Sequence, residues 1–216
     1  MHKVKKSDVL MVFGWILAAL LITSLSTNLR EKKMEQLQQH SDLQPMYDYG
    51  HDVLPDLSSY RNWVHGLVAI IFIIFLIKSP GRLIADMLLL YATLLVLRSL
   101  TICMTHVPPP RKRCKPYKIL GYYLGGCSDM MFSGHTAFVA LSCLYLVWYG
   151  LVKNRWLKGV VILYTVFTIV FIISTRHHYS MDVIVSLYIS FFAFFAIKRD
   201  VQGPLMPWWK EMRMKP

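Results

Sequence analysis

Two short blocks of this chain hold residue types that can do chemistry together. The first is Cys127-Ser128-Asp129-Met130-Met131-Phe132-Ser133-Gly134-His135-Thr136, and the second is His178-Tyr179-Ser180-Met181-Asp182. His178 and Asp182 are four apart, so at a helix start they share one face, one turn apart. A carboxylate beside an imidazole fixes its tautomer and supports positive charge on the ring, leaving the second nitrogen as a nucleophile or base. His135 is a second imidazole, preceded by Ser133-Gly134 at the opening of an apolar run. Backbone N–H groups at a helix start point outward and favour an anion such as phosphate. Gly134 permits close backbone approach, and Ser133 can cap the helix or hold a phosphate oxygen. Taken singly, each block also fits an ordinary helix start. Together they supply two imidazoles with different neighbours, which separate attack and proton-transfer roles require. These are the parts needed to move a phosphoryl group through histidine.

The elements that must position these residues are apolar. The 216 residues are 55% hydrophobic and 17% charged, with a mean hydropathy of +0.42. Soluble domains hold about 45–50% apolar and about 25% charged residues. The composition predicts an all-α, polytopic membrane protein with six transmembrane helices in one bundle, a single domain over 1–216. The spans are expected at about 9–27, 63–78, 83–105, 132–152, 157–175 and 181–197, judged by the length that crosses about 30 Å of hydrocarbon. The run from Val9 is long for a cleaved signal peptide and reads as a retained first span. Titratable groups beside such runs argue for function, and for a phospholipid as substrate.

Between the spans lie a mixed-charge loop over 28–62, a long loop over 106–131 with a basic cluster at 111–118, and a basic tail over 198–216 holding Trp208 and Trp209. The tail is expected on the cytosolic membrane surface. The net charge of +12 fits anionic lipid head groups. Nucleic acid is not expected, because no basic stretch accompanies a reading motif. None of the four cysteines has C-x2-C spacing, so zinc is not expected. Cys114 and Cys127 flank one loop and can pair if that loop faces an oxidising lumen.

An even number of spans puts both termini on one side. Lys and Arg are in modest excess there, which favours cytosolic termini. Whatever the orientation, Asp56, the end of the third span, His135, His178 and Asp182 fall on the opposite side. Arg98, late in the third span, needs an anionic partner, either a substrate phosphate or Asp182, unless it snorkels to the interface. Asp56 can bind an ammonium head group or cap a helix. Tyr179, and Tyr122 or Tyr123, can face a choline cation, as interfacial tyrosines without that role also occur.

Four segments in order resemble the sphingomyelin synthase, or sphingolipid synthase, family within the lipid phosphate phosphatase superfamily. They are Leu54-Pro55-Asp56; Arg98 to Thr105 followed by Pro108; Cys127-x-Asp129-x3-Ser133-Gly134-His135-Thr136; and His178-Tyr179-Ser180-x-Asp182-Val183. The resemblance covers about residues 50–197. It implies cytosolic termini, a lumenal or exoplasmic site, and His135, His178 and Asp182 as catalytic residues. It further implies transfer of phosphocholine or phosphoethanolamine from a glycerophospholipid to the primary hydroxyl of ceramide, without metal or cofactor. Asp56, Arg98, Asp129, Ser133, Gly134 and Tyr179 are the expected substrate contacts. The implied membrane is that of the Golgi, the endoplasmic reticulum or the cell surface, and a homo-oligomer is left open. The chain departs from the family at Arg176-His177, where many members carry His-Asp, and at Ser128, where Gly is frequent. The alternative is a lipid phosphate phosphatase or phospholipase C-like hydrolase of the same superfamily. That group shows Ser-Arg-x5-His-x3-Asp, whereas Phe171 and Ile172 stand in the Ser-Arg place here.

Overall fold

The computed structural model describes residues 6–40, 44–105, 107–110 and 130–198, and these are mainly helical with no strand among them. Among the described residues seven α-helices run in order: α1 Lys6–His40, α2 Tyr49–Val53, α3 Trp63–Lys78, α4 Gly81–Met104, α5 Gly134–Trp148, α6 Arg155–Ser174 and α7 Ser180–Lys198. Val12–Lys33, Gly81–Met104 and Arg155–Ser174 are long and apolar enough to cross a membrane; α3, α5 and α7 are shorter apolar helices. At 16 residues, α3 is about 24 Å long, less than a full hydrocarbon crossing. The outward side chains are apolar, with Trp156 85%, Ile77 75% and Phe192 74% exposed. Backbone groups satisfied within helices, under an apolar exterior, suit a lipid solvent. The chain is an integral membrane protein.

α5 is the hub. It packs against α3, α4, α6 and α7 and buries Val139, Leu141, Tyr145 and Leu146 almost completely. α1 lies along α4, where Ala19 and Ala92 are buried; small side chains let two helix backbones approach closely.

The first expected boundary moves. The loop expected from residue 28 is instead helix to His40. The segment Leu29 to Gln39 is rich in good helix formers. Arg30 gives a tertiary reason as well: it is buried, and its Nη1 and Nη2 donate to Ile102 O and Val107 O, both at 3.0 Å. The last carbonyls of a helix lack partners within it, so Arg30 satisfies the end of α4. The rest of that expected loop contains α2. The span expected over 132–152 narrows to Gly134–Trp148, because the chain turns at Gly150 with φ +64°. The basic cluster at 111–118, Tyr122, Tyr123, Cys114, Cys127, Asp129 and the tail beyond Lys198 lie outside the described residues.

Candidate active site

The site forms at the bundle end where α1, α4 and α6 finish and α3, α5 and α7 begin. Its centre is the turn between α6 and α7. α6 closes with Arg176 N donating to Ile173 O and His177 N to Ile172 O, the paired bonds of a Schellman motif. That motif needs a left-handed residue, and Arg176 adopts it at φ +54°. A residue with a Cβ pays about 1–2 kcal/mol there. The Arg176 side chain offsets this by donating from Nη2 to His51 O at 2.5 Å and Leu54 O at 3.3 Å.

The chain then turns into α7 through His177, His178 and Tyr179. Asp182, in the first turn of α7, reaches back to accept from Tyr179 N at 3.1 Å, the arrangement of a capping box. The same oxygen, Oδ2, lies 3.1 Å from His178 Nδ1. The other, Oδ1, accepts from Met131 N at 2.7 Å, and Met131 carries the second positive non-glycine φ, +81°. Asp182 is 1% and His178 4% exposed. Helix capping thus points a carboxylate at the imidazole. With Nδ1–H donating to a carboxylate, the neutral ring keeps its lone pair on Nε2.

His135 stands on α5 opposite this pair. Ser133 caps α5, its Oγ accepting from Thr136 N at 3.2 Å and Thr136 Oγ1 at 2.9 Å. Ser133 N donates to Ser186 Oγ at 2.6 Å, which binds the start of α5 to α7. The ring centroids of His135 and His178 are 6.5 Å apart. His177 lies between them, 4.9 Å from His135 and 5.3 Å from His178. One ring nitrogen from each of the three lies within 4.8 Å of the others. That is metal-ligand spacing, tested below against the hydrogen bonds of His177.

Arg98 is buried on α4 and donates from Nε to Phe132 O at 3.2 Å. It lies against Gly134, where an added Cβ would be 3.6 Å from Arg98 Nε and 3.4 Å from Tyr91 Oη. A cavity of about 370 Å³ opens beside these groups, lined at its polar end by His65, Arg98, Gly134 and His135. Its walls are apolar and include Leu20, Val68, Phe72, Leu95 and Phe138. A polar pole under an apolar shaft matches a phosphodiester with lipid tails.

The structure brings together His135, His178, Asp182, Arg98, Ser133 and Gly134 but sets two expected contacts apart. Asp56 is 60% exposed and 4.0 Å from Arg176 Nε, with Oδ1 accepting from Ser58 N; it supports the turn from outside. Tyr179 is buried. Its Oη accepts from Met46 N at 3.0 Å and donates to Pro108 O at 3.1 Å, so it braces loops.

Several neighbours carried no spacing signal. His65, in the first turn of α3, places Nδ1 3.1 Å from His135 Nε2; only its position in an apolar run marked it. Asp48 accepts from Ser180 N at 2.7 Å, Ser180 Oγ at 2.8 Å and His51 N at 3.0 Å. It latches α2 to α7. Burial acts to raise the Asp48 pKa, but the bonds from Ser180 and His51 outweigh it and hold the carboxyl below its ordinary 3.8. Above the turn, His51 Nε2 donates to His178 O at 3.1 Å.

Residues 126–199, which hold both histidine blocks, match the family described as PAP2 superfamily C-terminal. A phosphatidylethanolamine:ceramide ethanolaminephosphotransferase of Trypanosoma brucei brucei is 31% identical over 132 residues, 55% of this chain and 40% of that protein. A phosphatidylinositol:ceramide inositolphosphotransferase of Trypanosoma cruzi is 30% identical over 139 residues, 55% of this chain and 42% of that one. The chain is similar in sequence to the sphingolipid synthase family. A rice member, named as a phosphatidylinositol:ceramide inositolphosphotransferase, extends the match to 193 residues at 28% identity, 75% of this chain and 58% of its own length. The matched region thus spans about two to three fifths of these relatives.

Proposed function

We propose that this protein transfers the phospho-head group of a glycerophospholipid to the primary hydroxyl of ceramide and releases diacylglycerol. In the first step, His178 Nε2 attacks phosphorus and the bond to the diacylglycerol oxygen breaks. His135 gives that oxygen its proton, and the phospho-head group rests on His178. In the second, the ceramide hydroxyl passes its proton to His135 and attacks phosphorus. The P–N bond then breaks and its electron pair returns to His178 Nε2. Asp182 holds the reactive tautomer of His178 and stabilises the charge on its ring. Arg98 faces the anionic phosphodiester, and the apolar cavity takes lipid chain.

The observation that carries this reading is the His178–Asp182 pair at 3.1 Å, with a His135 nitrogen within 4.8 Å of His178. A phosphodiester bound against the two rings is within reach of both, one at phosphorus and the other at the leaving oxygen. The relatives' names carry ethanolamine and inositol; ethanolamine is the donor head group proposed here, with choline and inositol as the tested alternatives. The proposal includes six spans in one bundle, cytosolic termini, and a site on the lumenal or exoplasmic face of an internal or surface membrane. Purified protein given labelled ceramide with one donor lipid at a time provides the test. A ceramide phospho-head group forming together with diacylglycerol supports transfer. Release of the phospho-head group to water, with ceramide unchanged, refutes it in favour of hydrolysis.

A further inference from the structure

The proposed reaction leaves one buried imidazole at the centre of the cluster without a role. Arg61, just before α3, donates from Nε to His177 Nδ1 at 3.2 Å. A guanidinium does not surrender its proton in a protein, so Nδ1 must be the acceptor. The proton of the neutral ring then sits on Nε2. His178 shows the reverse, because Asp182 accepts from its Nδ1. Two consecutive histidines are therefore held in opposite tautomers, one by a cation and the other by an anion. Burial holds the His177 pKa well below 6.5, helped by His135, His178, Arg61 and His65 around it. The ring stays a neutral donor.

This bears on what the three-histidine cluster can bind. A transition metal needs a lone pair from each imidazole. His177 has none to give: Arg61 occupies Nδ1 and a proton occupies Nε2. The neighbouring guanidiniums of Arg61 and Arg98 also suit an anion. A phosphoryl group calls for different parts, a nucleophile, a proton carrier and a donor for the oxygen that gains charge.

We propose that His177 is a third catalytic histidine of the transfer, donating from Nε2–H to a non-bridging phosphoryl oxygen as charge builds on it. Arg61 is a positioning residue that holds His177 in the donating tautomer. This rests on the transfer reading above. It gives roles to two of the positions where the chain departs from the family pattern, since Arg176 forms the turn and His177 supplies the donor.

The test uses the purified full chain with His177→Ala, His177→Gln, Arg61→Ala and His178→Ala. Loss of one such donor costs about 10²–10³ in kcat, so His177→Ala should fall by that factor with KM for the donor lipid little changed. The glutamine amide places an N–H near the Nε2 position, so His177→Gln should recover about tenfold of the loss. In protein labelled with ¹⁵N-histidine, Arg61→Ala should move the His177 ring signals away from a single Nε2–H form. His177→Ala within about threefold of wild type would overturn the assignment. So would a folded His177→Gln no better than Ala, or one zinc bound by wild type and lost from His177→Ala. His178→Ala separates the two claims. Retained transfer there refutes the histidine mechanism, whereas its loss beside an unaffected His177→Ala refutes only the donor role.

Discussion

Asp182→Asn changes one atom at the point where α5, α7 and His178 meet. In the native chain, Oδ2 accepts from Tyr179 N and His178 Nδ1, both at 3.1 Å, and Oδ1 accepts from Met131 N at 2.7 Å. An amide has one oxygen, so the variant must choose. With that oxygen toward Tyr179 and His178, the NH2 opposes Met131 N–H. The orphaned donor then costs about 1–3 kcal/mol. With the oxygen toward Met131, the Tyr179 N–H is orphaned at a similar cost. His178 then receives a donor where it needs an acceptor, so its ring turns over to the Nε2–H form and loses the attacking lone pair. The two orientations are close in energy, and the second removes the nucleophile. Where an Asp-to-Asn change imposes the wrong tautomer on a catalytic histidine, kcat falls about 10⁴-fold. Transfer by Asp182→Asn should therefore drop about 10³–10⁴-fold, while the melting temperature of the detergent-solubilised protein falls by only a few degrees. Transfer rates with a single donor lipid, beside a melting curve, measure both. A folded Asp182→Asn retaining within about tenfold of wild-type turnover would refute the claim that Asp182 sets the His178 tautomer.

Three further outcomes follow from the same turn. A Cβ on Gly50 would collide with Ser180 Oγ, so Gly50→Ala should lift α2 from α7 and cost about 1–3 kcal/mol, read as a lower melting temperature with reduced transfer. The Asp48 carboxyl is held below 3.8, so its contribution is full above that value and is lost as pH falls through the lower folded value; Asp48→Asn turns an amide NH2 toward a donor that Asp48 now accepts from and should lose about 1–3 kcal/mol of stability at pH 7, and the gap should close in strong acid. His177, held well below 6.5 by burial and by His135, His178, Arg61 and His65, works over a different window: below 6.5 the unfolded chain takes a proton that the folded chain refuses. Stability should fall from pH 7 to pH 5, and His177→Gln should flatten that slope in melting curves taken across the range.

The residue types of the proposed catalytic pair were legible because their spacing carries geometry. His178 and Asp182, four apart at a helix start, have little choice but to meet, and the capping bond to Tyr179 N completes the arrangement. The apolar runs were legible for the same reason: length and composition alone decide what hydrocarbon accepts. Their ends were not. α1 runs past its apolar stretch because Arg30 finds the carbonyls of Ile102 and Val107, more than 70 residues away. Asp56 and Tyr179, marked as substrate contacts by motif position, brace the surrounding loops. Asp48 and Arg61 gave no local signal, because their partners Ser180 and His177 lie 132 and 116 residues along the chain.

What the chain determines by itself is chemistry within one helical turn: which carboxylate meets which imidazole, and which stretches enter lipid. What only the folded bundle decides is how the three histidines face one another and where each proton sits. His65 reaches His135 from α3, and Arg61 and Asp182 hold neighbouring imidazoles in opposite tautomers. The cause is physical. A proton's place on an imidazole depends on the hydrogen-bond partner at its other nitrogen, and for His177 that partner arrives from a distant part of the chain.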